Sequence, residues 1–113
     1  MKTILIHLGL SDITEAVDGE DAWYKINDEI KKGRDQVFEL IVSDMEMPGM
    51  TGLELLRAVR TSPEIENTPF IMATTVTAKQ IILETMRLGI QAYIIKPFDT
   101  HMVELKLKQA GIL

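Results

Sequence analysis

Residues 38–60 read FELIVSDMEMPGMTGLELLRAVR, and the fold follows from how this stretch changes character. Phe38–Ser43 is a near-continuous apolar run that ends at Asp44, and the turn residues Pro48 and Gly49 follow. A short run of this kind, apolar on successive residues and not on alternate ones, suits a strand buried on both faces of a parallel sheet. Gly52–Arg60 then places Leu53, Leu56 and Ala58/Val59 on one side of a helix. Thr51 is its expected N-cap, with Glu54 three residues on to complete a capping box. The unit is a strand, a polar turn carrying an acid, and a helix.

The same unit recurs along the chain. Pro69–Thr74 (PFIMAT) and Ala92–Ile95 (AYII) are two more apolar runs, the second stopping at Lys96-Pro97, and Ile13–Val17 (ITEAV) alternates in part, as an edge strand would. Helical patterns cover Asp21–Lys32, with Ala22, Trp23, Ile26 and Ile30 apolar and Gly33 just past the end. Thr77–Leu88 is another, with Thr77 as cap, Ile81, Ile82 and Met86 inward, and Gly89 as stop. The last runs from about Thr100 to Gln109. Alternating strands and helices with short connections predict an α/β domain, a parallel sheet between two layers of helices.

Composition bounds the function. The 113 residues suit one domain, and 46% hydrophobic with 26% charged is globular. A net charge of -5 with scattered Lys and Arg argues against a nucleic-acid surface. Having no cysteine excludes structural disulfides and thiol catalysis. No apolar run approaches the roughly 18 residues that span a bilayer, and Lys2 with the short apolar run after it makes no signal peptide. The expected setting is the cytoplasm, with neither membrane nor nucleic acid as partner.

Ligands of open α/β sheets bind beyond the carboxyl ends of the strands. Those positions hold Asp44, then Thr74 and Thr75, then Lys96. A carboxylate there is a candidate nucleophile toward phosphorus, an ammonium a stabiliser of phosphoryl oxygens, and a hydroxyl a donor to one of them. Taken singly, an aspartate before a turn is more often a cap and a lysine a solvated charge, and Tyr93 has simple core packing as its alternative. His7 and His101 stand alone, with no second ligand at metal spacing.

SDMEMPGMTGLELLRAVR (43–60), TPFIMATTVT (68–77), GIQAYIIKPF (89–98) and AVDGEDA (16–22), in that order, resemble the receiver domain of two-component response regulators, above all the stand-alone chemotaxis type. The likeness covers about residues 9 to 110. It implies a flavodoxin-like three-layer α/β sandwich with strand order 2-1-3-4-5. It implies Asp44 as phosphoacceptor from a histidine kinase, Thr74 as switch hydroxyl, Tyr93 as the aromatic ring that turns inward with it, and Lys96 as phosphoryl contact before a cis Pro97. Met47-Pro48-Gly49 becomes the loop over the site, Gly52 its close turn, and Asp44 with the Glu46 carbonyl ligands of Mg²⁺. The chain is then a signalling phosphoprotein, not an enzyme beyond self-phosphorylation and autodephosphorylation, and its output is contact with a downstream protein. Thr75 departs from the small residue usual in the family, which narrows access to the site. An enzyme or nucleotide binder of flavodoxin type lacks its Gly-rich phosphate loop here.

One part of the pattern is missing. The family opens with an apolar strand ending in two acids that hold Mg²⁺, yet Met1–Gly9 (MKTILIHLG) contains no acid. Either Lys2–Leu8 is the tail of the first helix, capped by Gly9, with the strand before it absent, or Thr3–Leu8 is that strand with the helix deleted. In the second case Gly9–Asp12 is too short for a parallel crossover, which needs roughly a dozen residues, and a hairpin with Ile13–Val17 results. LIHLGLSDITEAVDG (5–19) matches the first in register. Both readings make 1–113 a receiver incomplete at its N-terminus, with weak Mg²⁺ binding. Such a sheet must re-pair its strands, borrow an edge from a second copy in a homodimer, or stay marginal. The competing function is a degenerate receiver that serves as an interaction or oligomerisation module.

Overall fold

The computed structural model describes residues 1–33 and 37–113. Among the described residues five helices and three strands follow in the order α1 (Lys2–His7), α2 (Gly19–Lys31), β1 (Ile41–Ser43), α3 (Gly52–Arg60), β2 (Phe70–Thr74), α4 (Lys79–Leu88), β3 (Ala92–Ile95) and α5 (Thr100–Gln109). The strands form one parallel sheet in the order β1-β2-β3, with Ile41 opposite Phe70 and Ile71 opposite Ala92.

β2 organises the layers, because all five of its residues are buried. Successive side chains of a strand point to opposite faces, so Phe70 and Met72 join Ile26, Leu55, Leu56, Val59 and Ile65 under α2 and α3. Ile71 and Ala73 join Leu5, Ala92, Ile94, Val103 and Leu107 under α1 and α5. Ile81 and Leu88 pack α4 against the first of these cores. Arg60 ties the far ends together: Nε donates to the Gly89 carbonyl at 3.0 Å, and Nη1 to those of Thr68 at 2.7 Å and Glu66 at 3.0 Å.

The N-terminus settles between its two readings. Lys2–His7 is helical, which overturns the strand alternative. The end is a Schellman turn: the Leu10 N–H bonds to the Leu5 carbonyl, the Gly9 N–H to that of Ile6, and Gly9 stands at φ 95°. A first strand is therefore not made by these residues, and β1 carries no strand partner on its outer side among the described residues.

Ile13–Val17, expected as an edge strand, forms no ladder. Its backbone groups go to side chains instead: Lys25 Nζ donates to the Glu15 carbonyl at 2.6 Å, and the Val17 N–H bonds to Asp21 Oδ2 at 3.0 Å. A ladder needs a strand alongside at about 4.8 Å, and none lies beside the segment among the described residues. β1 is also shorter than Phe38–Ser43. The Ile41 N–H reaches the Pro69 carbonyl at 2.9 Å, and Pro69, which has no N–H to give, ends the pairing there.

The helices differ from expectation in phase and caps. The Thr51 and Glu54 capping box on α3 is formed, and Leu55 joins Leu56 and Val59 as fully buried. α2 starts at Gly19, because Asp18 caps it by accepting from the Asp21 N–H. α4 starts at Lys79 after Ala78, so Thr77 is not its cap. Met86, expected inward, is 57% exposed, whereas Thr85 is fully buried and returns its hydroxyl to the Ile81 carbonyl at 2.7 Å. The inward stripe is Ile81, Thr85 and Leu88, the i, i+4, i+7 set. On α5, Val103 and Leu107 face in and Met102 and Leu105 face out.

This phase has a measurable consequence. Leu56→Ala should cost about 3 kcal/mol of stability in urea denaturation, the usual toll of a cavity at a sealed site. Met86→Ala should stay within about 0.5 kcal/mol, as for other exposed positions. Comparable losses in the two variants would show the stripe to be misplaced.

Candidate functional site

Parallel strands bring all their carboxyl ends to one rim. Asp44 directly follows β1, Thr74 is the last residue of β2, and Lys96 directly follows β3. The three meet there. Lys96 Nζ lies 2.5 Å from Asp44 Oδ2, and the Glu46 N–H donates to Oδ1 at 3.1 Å. The Thr74 hydroxyl lies on the same rim and helps to lower the Asp44 carboxyl, while its oxygen accepts the Val76 N–H at 3.2 Å. Both carboxylate oxygens thus carry a donor, one of them a full positive charge.

Burial pushes the Asp44 carboxyl up, but the Lys96 ammonium, the Glu46 N–H and the Thr74 hydroxyl outweigh it and hold the group below the usual carboxylate range. Asp44 is therefore ionised, and nucleophilic, throughout the neutral range. With the folded value lowered, any stabilisation from these contacts is present above the ordinary carboxylate range and fades as pH falls through the folded value. With a third of its side chain exposed, the group is partly screened by solvent.

Tyr93, on β3, is half-buried, and its hydroxyl donates to the Val76 carbonyl at 2.7 Å. Burial and the nearby Asp44 charge raise its hydroxyl above the ordinary range. Val76 is thus the joint between Thr74 and Tyr93: its N–H serves one and its carbonyl the other. Backbone groups leave no mark in a sequence, so this joint was not legible there. The Glu46 N–H contact was missed for the same reason.

The loop holding Asp44 is built to close tolerances. A Cβ on Gly52 would stand 2.1 Å from the Asp44 carbonyl oxygen, so a side chain there has no room. Gly49 adopts φ 74°, a left-handed conformation that disfavours other residues, and the Lys96-Pro97 peptide is cis, as the resemblance implies. Thr75 is exposed on the rim, its hydroxyl 3.5 Å from Glu46 Oε1. His7 and His101 lie elsewhere on the exposed surface. Two depressions flank the site, one of about 580 Å³ beside Met47 and Ile81 and one of about 280 Å³ beside Phe98 and Met102. Neither is lined by Asp44 or Lys96, and the Asp44 side chain is itself a third exposed.

Receiver domains generally bind Mg²⁺ for phosphorylation. The donors here fit that ion poorly. Mg²⁺ demands near-octahedral oxygen ligation, usually with one or two carboxylates. Among the described residues no group of three or more His, Cys, Asp or Glu stands close enough to hold a metal. Lys96 and the Glu46 N–H already engage both oxygens of Asp44. Among the described residues, too, no helix is long and apolar enough to cross a membrane.

Known proteins resemble the chain in sequence and in fold. Residues 1–108 match the response regulator receiver domain. A chemotaxis protein CheY homolog of Campylobacter jejuni is 35% identical over 108 residues, 96% of this chain and 78% of that protein. The chemotaxis protein CheY of Pseudomonas aeruginosa is 33% identical over 109 residues, 96% of this chain and 82% of its own. The structure of Vibrio cholerae CheY4 superposes with a TM-score of 0.79 at 31% identity, covering 96% of this chain and 84% of that one. With a flavodoxin-like sheet, a carboxylate, hydroxyl and ammonium on one rim, and these relatives, the chain belongs to the response regulator receiver domain family.

Proposed function

We propose that Asp44 is the phosphoacceptor of this signalling domain and that a histidine kinase supplies the phosphoryl group. The observation that carries the reading is the convergence of Lys96, Thr74 and the Glu46 N–H on one ionised carboxylate at an open rim. In the transfer an Asp44 oxygen attacks the phosphorus of a phosphohistidine. The P–N bond breaks as the O–P bond of the acyl phosphate forms, and the leaving imidazole takes up a proton. Lys96 then faces the phosphoryl oxygens in place of the carboxylate, and Thr74 donates to one of them. A small donor such as acetyl phosphate serves the same chemistry.

The output follows from Val76. A shift of the Thr74 hydroxyl pulls on the Val76 N–H, and the Val76 carbonyl holds Tyr93 on β3. Nearby on α4, β3 and α5 are the exposed apolar side chains Met86, Ile95, Met102 and Leu105. That surface suits contact with a downstream protein, and the expected setting is the cytoplasm. The Glu46 carbonyl is the remaining family ligand for Mg²⁺, too little beside Asp44 for tight binding.

A second reading has its own support. With no strand on the outer side of β1 and no cluster of metal donors among the described residues, the chain also suits an interaction module that pairs with a second copy. Acetyl phosphate with Mg²⁺, followed by intact mass, separates the two. One phosphoryl adduct that disappears in Asp44→Asn supports phosphoacceptance, and an unmodified wild-type mass supports the module. Light scattering after size exclusion then reads the dimer. In a Mg²⁺ titration followed by Trp23 fluorescence, no saturation should occur below about 1 mM, given the sparse carboxylates. Tight saturation would mean that further ligands reach the ion.

A further inference from the structure

Ser43 is one of only three buried polar residues in the described core, at 6% exposed. Its hydroxyl turns to the next residue, donating to the Asp44 carbonyl at 2.8 Å, with Met47 Sδ a weaker acceptor at 3.9 Å. The Asp44 carbonyl has left the strand ladder and is pressed against Gly52. A backbone carbonyl packed this closely needs a donor, and Ser43 supplies one from within the chain. The orientation of this carbonyl sets the peptide plane between Asp44 and Met45, and hence the course of the chain to Glu46, whose N–H bonds to Asp44 Oδ1 at 3.1 Å.

From this chain of contacts we infer that Ser43 is a positioning residue for the acceptor: by holding the Asp44 carbonyl against Gly52 it aims the Glu46 N–H at the Asp44 carboxylate. The hydroxyl touches neither the carboxylate nor the phosphoryl group. It acts through the turn. The inference rests on the phosphoacceptor reading only for its kinetic consequence, since the geometry it describes exists before any transfer.

The variants Ser43→Ala, Ser43→Val and Ser43→Thr separate the hydroxyl from the volume, because Val and Thr have nearly the same shape. Two readouts are taken: the amide proton shift of Glu46 by NMR, which reports its bond to Asp44, and the rate of Asp44 phosphorylation by acetyl phosphate. Ser43→Ala and Ser43→Val should move the Glu46 amide upfield and slow phosphorylation on the order of tenfold, as for small misplacements of a reacting group. Ser43→Thr should bring both back toward wild type. A Glu46 amide that stays in place in a folded Ser43→Ala protein overturns the inference, as does restoration by Val as good as that by Thr. If wild type takes no phosphoryl group, the phosphoacceptor reading fails by itself, and the Glu46 amide still decides the role of Ser43.

Discussion

Burial of β2 on both faces is the constraint from which the rest of the molecule follows. Phe70 and Met72 enter one core and Ile71 and Ala73 the other, so one strand carries the stability of both helix layers. Fully burying a side chain of this size contributes about 1.5–3 kcal/mol, and it does so only if the strand stays in register with its neighbours. Register in turn puts Thr74 level with Ile95 on β3 and Met72 level with Ser43 on β1. The rim residues Asp44, Thr74 and Lys96 are therefore held together by the core beneath them.

At that rim the electrostatics are compact. Asp44 meets Lys96 directly and accepts the Glu46 N–H, and the Thr74 hydroxyl nearby also lowers its carboxyl. An ammonium and neutral donors poise the carboxylate as an anion but leave few oxygen ligands for a divalent cation. The positive charge that faces the carboxylate is that of Lys96.

Ile13–Val17 has no strand beside it among the described residues. Ile13 still packs against the second core, so the hydrophobic contribution of the segment survives. Its hydrogen bonds do not form a ladder, and Lys25 and Asp21 take over two of its backbone groups. Apolar packing needs only proximity, whereas a ladder needs an extended partner in register. The two are separable, and this segment keeps one without the other.

Much of this was legible in the residues themselves. Short apolar runs ending at Asp44, Thr74 and Lys96 determined the strands and their polar ends, because a strand buried on both faces leaves little choice of side chain. The Thr51–Glu54 box determined the start of α3, and Gly9 the end of α1, since both are local backbone chemistry. The tertiary structure alone decided the rest. Which face of α4 points inward, Thr85 in place of Met86, depends on where the core lies and not on which side chain is more apolar. Whether Ile13–Val17 pairs depends on a strand alongside it. The Val76 joint and the Ser43 bond to the Asp44 carbonyl use backbone groups, which every residue carries, so only the fold determines which of them meet.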